Sequence, residues 1–199
     1  MRRAFPSALL PAGLLIIVRL AMAGVTAPPT DQAPTPPPTT APSNDEAEKT
    51  PTPREEITIG EHSFRLELAL NAAGWTNGLM GRTSIEPDGG MLFVYPRADV
   101  RNFWMKFCRT DIDVIFLDPR GRITAMYAMP TEPPRGDDES LLEYEMRLPR
   151  YSSRRMAQFV IELAPGWLDR LDLSVGQRLD LNYDRFRQLQ REQAIRDRQ

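Results

Sequence analysis

The chain of 199 residues carries 27 acidic and 25 basic side chains, a formal net charge of −2, with one cysteine and one histidine. That length allows one domain with a leader and a tail. Lone Cys108 excludes an internal disulfide framework, lone His62 argues against a histidine-based zinc site, and no basic stripe interleaved with aromatics marks a nucleic-acid surface.

Residues 1–23 read as an export signal: Arg2 and Arg3 precede the apolar run Ala8 to Val18, and Ala21-Met-Ala23 offers a small-x-small cleavage site. A membrane span needs about 20 apolar residues, and this run stops at Arg19. Cleavage is therefore expected, with an exported product in the periplasm or outside the cell. An uncleaved N-terminal anchor is the alternative, and membrane contact is expected only in that case. Loss of Arg2, Arg3 and Arg19 takes the charge from −2 to −5. Residues 24–54 hold nine prolines and seven threonines among 31 positions, with Val25 the only large aliphatic. Such a segment cannot bury enough apolar surface to offset its ordering entropy, so a disordered, semi-rigid linker is expected.

The foldable unit is placed at 55–183. Ile57 and Ile59 should pair, across a turn at Gly60-Glu61, with the alternating strand Phe64 to Leu70. Asn71 to Met80 reads as one short helix ended by Gly81. Turn residues Glu86 to Gly90 feed Met91 to Tyr95, a strand buried on both faces and stopped by Pro96. Ile112 to Leu117 and Arg122 to Met129 form a hairpin about the turn Asp118-Pro-Arg-Gly121. The acidic stretch from Glu132 to Glu145 reads as a solvated loop; calcium would accept its oxygens, but the spacing matches no EF-hand. Ala157 to Leu163 is a further strand, and Arg178 to Leu181 the last. The tail, 184–199, has helical propensity and only a token apolar stripe, Phe186 and Leu189, so a fraying exposed helix is expected. Short strands with Gly/Pro turns and one clear helix argue for a mainly β fold, a compact sandwich or barrel.

Four blocks recur in order: Gly78-Leu-Met-Gly-Arg82, Gly89-Gly-Met-Leu-Phe-Val-Tyr-Pro96, Phe103-Trp-Met105 and Asp113-Val-Ile-Phe-Leu-Asp118. Together they resemble the domain of unknown function 192 family, small exported or membrane-associated prokaryotic proteins, over roughly residues 57–183. The resemblance implies a jelly-roll-like β fold and no established activity. Against the family pattern, Phe107 and Cys108 stand where Asn-Thr is usual, Asp111 where Pro is, Trp75 where Arg is, and Gln177 in place of an acid.

Candidate site residues come from these blocks. Asp113 interrupts an apolar strand on the face of Ile115 and Leu117, so it should be partly buried and paired, with Arg82 or Lys106 as available cations. An Asp113–Arg82 ion pair is the favoured expectation. Trp104 and Met105 side by side would make an apolar platform with one N–H donor, suited to stacking a sugar ring. Both could equally be core, as is expected of Trp75 and Trp167. Glu162 is a second acid within an apolar strand, and two carboxylates across a cleft are what glycoside hydrolysis requires. Cys108 between Lys106 and Arg109 invites a low thiol pKa, although His62 is the only histidine available as a base. The leading expectation is thus an exported module binding a small, carbohydrate-like ligand at Trp104, Met105, Arg82, Asp113 and Glu162. The alternatives are an envelope hydrolase using Asp113 and Glu162, and a structural or partner-binding module. No metal or cofactor is implied.

Overall fold

Six strands and four helices are built from residues 52–199, the part of the chain that the computed structural model describes. The expected signal at 1–23 and all but the last three residues of the expected linker lie outside the described residues; Arg54 already opens the first strand.

Strands β1 (Arg54–Ile59) and β2 (His62–Ala69) form the expected hairpin, with Ile59 opposite His62 and Gly60 at φ +61° in the turn. The chain crosses over through α1 (Ala72–Asn77) to β3 (Gly89–Phe103), which lies parallel to β2. Strand β4 (Ile112–Leu117) pairs antiparallel with β5 (Ile123–Met129). Helix α2 (Leu141–Arg147) precedes β6 (Tyr151–Leu163), which inserts antiparallel between β3 and β4. The order is β1-β2-β3-β6-β4-β5, one mixed sheet that does not close on itself. Short helix α3 (Trp167–Arg170) and the longer α4 (Tyr183–Arg196) complete the fold. The mainly β class expected from sequence is present, arranged as an open sheet with an apolar layer on each face.

Alternation along the central strands sorts side chains between those layers. Leu92, Val94, Ile115 and Ile161 join one cluster with Phe159, Tyr183 and Phe186; Met91, Phe93, Val114 and Val160 join the other with Leu79 and Met105. All six residues of β4 are buried, as a strand covered on both faces requires. Burying each large side chain of this kind stabilises by about 1.5–3 kcal/mol.

Several local expectations are corrected. Pro96 does not end β3: the strand continues to Phe103 through register shifts against β6 between Val94 and Asp99 and again before Asn102. Pro96 sits in the first irregularity, where the missing N–H breaks no ladder bond. Helix α1 stops at Asn77, with Gly78 rather than Gly81 turning the chain. Arg178 to Leu181 is not a strand; Arg178 makes one isolated bridge to Arg122. The acidic stretch is not all loop, because Ser140 and Glu143 form a capping box that starts α2. The tail helix is not merely exposed: Tyr183, Phe186 and Gln190 are buried, and the Tyr183 ring lies 5.0 Å from that of Phe159. Among the described residues no helix is long and apolar enough to cross a membrane.

Candidate functional site

The site is assembled where the α1 turn meets the far end of β3. Asn71 caps α1 by accepting the Gly74 N–H at 3.1 Å, and the Gly78 N–H closes the helix on the Gly74 carbonyl. Gly78 then adopts φ +48° and passes close over the sheet; a Cβ there would lie 3.2 Å from the Phe93 ring and 3.5 Å from Glu162 Oε2. Glycine suits both the backbone angle and the close approach. Opposite this turn, β3 ends in Asn102 and Phe103, and Trp104 follows it. The result is a cleft of about 100 Å³ with Phe93, Tyr95 and Glu162 among its lining residues, and with the exposed side chains of Thr76, Asn77 and Asn102 at its border with solvent.

Its walls are aromatic and fixed. Trp75 donates its indole N–H to the Ala69 carbonyl at 2.9 Å and the Val94 carbonyl at 3.2 Å, while its ring lies 5.2 Å from Tyr95. Phe103 meets Phe93 edge to face at 5.1 Å. Such pairs add to area burial and hold ring orientation.

Glu162 is the acid in this apolar setting. The residue is 5 % exposed, and Oε2 is buried without a hydrogen-bond partner among the described residues. Burial pushes its carboxyl up to about 8, opposed by the Leu79 backbone N–H and by the positive charge of Arg82. Removing a carboxylate from water disfavours its ionised form, so this acid is largely protonated at neutral pH. Perturbed acids with an unmet hydrogen-bonding demand cluster at functional sites.

The other sequence candidates disperse. Arg82 does not pair with Asp113: its guanidinium clasps Glu67 through two hydrogen bonds of 2.9 and 2.6 Å, and Arg54 adds a third at 3.3 Å. The Arg82 hydrogen bonds hold the Glu67 carboxyl below its ordinary range despite burial. Lys106 is also taken, by Glu145 at 2.5 Å. Asp113, 2 % exposed, instead accepts the Leu168 backbone N–H at 2.9 Å. It thereby satisfies a donor in the first turn of α3, whose own N-cap Gly166 supplies no side-chain acceptor. Asp113 and Glu162 cannot flank one bond, because Asp113 pairs with Leu163 and Val114 with Glu162, which sets the two acids on opposite faces of the sheet. The two-carboxylate hydrolase is thereby overturned. Met105 is 1 % exposed and belongs to the core, so the expected indole–thioether platform does not form. Trp104 does line the cleft, with Arg150 lying 3.6 Å over its ring. Cys108 is no activated thiol; burial and the negative charge of Glu162 push it up to about 12.

Trp75, Asn77, Gly78, Phe93 and Tyr95 were not singled out as site residues by sequence reasoning. The available signal was Trp75 at a departure from the family pattern, together with Gly78, Phe93 and Tyr95 inside two of the four blocks. A larger hollow of about 760 Å³ lies beside β2 and α1, lined in part by Glu67, Arg82, Asn71 and Met91. There Glu67 and Arg82 already satisfy each other, whereas the small cleft holds an unmet carboxyl oxygen. The smaller one is the better candidate. Among the described residues no group of three or more His, Cys, Asp or Glu is placed to hold a metal.

Residues 55–181 match the DUF192 family, described as "Uncharacterized ACR, COG1430". No curated protein matches the chain. Among solved structures, a protein from Sinorhizobium meliloti 1021, provisionally described as a transcription regulator, shares 29% identity at a TM-score of 0.50, with 64% of this chain and 89% of that one covered. A protein of unknown function from Novosphingobium aromaticivorans DSM 12444 shares 27% identity at a TM-score of 0.50, with 64% and 82% covered.

Proposed function

The chain belongs to the DUF192 family, and on that footing we propose that its β domain is a small-molecule binding module whose site is the cleft bordered by Gly78, Trp104 and Glu162. The observation that carries the proposal is Glu162 Oε2, buried and unpartnered at the cleft. An unmet buried polar atom costs about 1–3 kcal/mol, and a ligand supplying its partner would recover that cost. A volume of about 100 Å³ matches about three waters, so one end of a small ligand would enter. Sugar stacking on Trp104 gains less support than the sequence suggested, because Arg150 already covers part of the indole. The order of Arg2, Arg3, the apolar run and Ala21-Met-Ala23 supports a place for this module in the cell envelope, after export.

A thermal-shift screen of the whole protein against sugars, amines, alcohols and small acids tests this reading. A ligand at 100 times its Kd stabilises by about 2.7 kcal/mol. The stabilisation should be reduced in Trp104→Ala. A screen in which no class stabilises the protein, or in which every hit acts equally on Trp104→Ala, would contradict it.

A further inference from the structure

The cleft brings Trp75, Phe93, Tyr95, Phe103 and Trp104 around one carboxyl group, that of Glu162. We propose, resting on the reading of this cleft as the binding site, that its ligand is an organic cation whose ammonium end is received by Glu162 among these rings. Aromatic faces attract cations through their quadrupole, and the attraction grows when water is excluded. The molecule already uses two of these rings in this way. Arg101 lies 3.8 Å over Tyr95 and Arg150 lies 3.6 Å over Trp104, and neither arginine lines the cleft.

Charge inside the cleft favours the same class. Arg82, on the loop after α1, is the cation felt by Glu162, and it is committed to Glu67 by two hydrogen bonds. Tyr95 from β3 and Cys108 from the following loop also face the acid, and both remain neutral at physiological pH because burial raises them. A carboxylate-bearing ligand would lose its hydration beside a cation, Arg82, that Glu67 already holds, which is unfavourable. An ammonium would convert Glu162 to its ionised form and pair with it. The proton then leaves Glu162 for solvent, and no covalent bond forms. Below about pH 8, where the free protein holds that proton, binding should release up to one proton per ligand. Above that pH the release should vanish.

Three probes of nearly equal size separate the possibilities: propylammonium, propanol and propionate. Binding to the whole protein is followed by the indole N–H resonances of Trp75 and Trp104, and proton release by calorimetry at pH 7 in buffers of different ionisation enthalpy. Propylammonium is expected to bind at least tenfold more tightly than either other probe, with proton release, and Glu162→Gln is expected to lose that preference. Should Glu162→Gln fail to fold, the three-probe ranking and the proton count on the native chain still decide the matter. Equal or tighter binding of propanol or propionate would overturn the cation assignment while leaving the cleft as a binding site. Probes that move neither indole would overturn both.

Discussion

Arg82 holds both carboxylate oxygens of Glu67, with Nη1 at 2.9 Å from Oε1 and Nη2 at 2.6 Å from Oε2. This planar two-bond geometry is the one in which a guanidinium binds a carboxylate best. It ties the loop after Gly81 to β2, and so fixes one margin of the segment that crosses Glu162. Because the Arg82 side chain is 38% exposed, solvent screening reduces its worth.

Glu67→Gln and Arg82→Met should each cost about 1–3 kcal/mol, with a coupling of about 1 kcal/mol between them in a double-mutant cycle by urea unfolding. Arg82→Met combined with Asp113→Asn should be additive within about 0.5 kcal/mol, since those two side chains have separate partners. The pair also sets a pH dependence. Glu67 is held below its ordinary value of 4.5 in the folded protein, so its contribution is complete above that pH and is lost as pH falls through the depressed folded value. Arg82→Met should flatten this acid limb. An unchanged limb would remove Glu67 from the explanation.

Glu162 works in the opposite sense. Its folded value is about 8 against 4.5 for an ordinary glutamate. Between these, the unfolded chain has released the proton that the folded protein keeps, so stability falls as pH rises across that window and levels off above it. Glu162→Gln should therefore gain stability relative to the native protein progressively from about pH 4.5 to 8. Parallel stability curves for the two proteins would show that the acid is not perturbed.

The thiol of Cys108 offers a kinetic check. Burial and Glu162 push it up to about 12 from 9.0, which lowers the thiolate fraction at pH 8 by about a thousandfold. Iodoacetamide should modify the folded protein at least a hundredfold more slowly than the urea-unfolded chain. Comparable rates would mean that the thiol is neither buried nor opposed by the acid.

Docking of the tail helix is tested at Phe186 and Gly121. Phe186 is buried against Phe159 and Tyr183, and a Cβ at Gly121 (φ +79°) would lie 2.3 Å from the Tyr183 ring. Phe186→Ala should cost about 3 kcal/mol, and Gly121→Ala should release α4 to rapid amide exchange. Exchange in α4 that stays slow in both variants would contradict the packing.

Local pattern made several elements legible: the alternation in Phe64 to Leu70, the apolar run Met91 to Tyr95, and the hairpin turning at Gly121 all specify short-range structure. The burial of Asp113 and Glu162 followed from the same runs. Which face each acid occupies relative to the other did not, because that depends on the register of β4 against β6, two strands far apart in sequence. Likewise, Glu67 read as the polar side of a half-buried strand, and only the parallel pairing of β2 with β3 brings the Arg82 loop to it. Trp104, singled out from the sequence, lines the cleft, but Met105 beside it turns into the core. The capping box at Ser140 and Glu143 stood in the sequence, masked by the acidity of the stretch around it.

The central claim is that small molecules enter the cleft at Glu162. Its most direct test is a fragment screen by NMR with the side-chain carboxyl carbons and the indoles labelled. The account predicts hits that shift Glu162, Trp75 and Trp104 together and move the Glu162 titration midpoint away from about 8. Hits confined to the Glu67–Arg82 hollow, with Glu162 and both indoles unmoved, would contradict it.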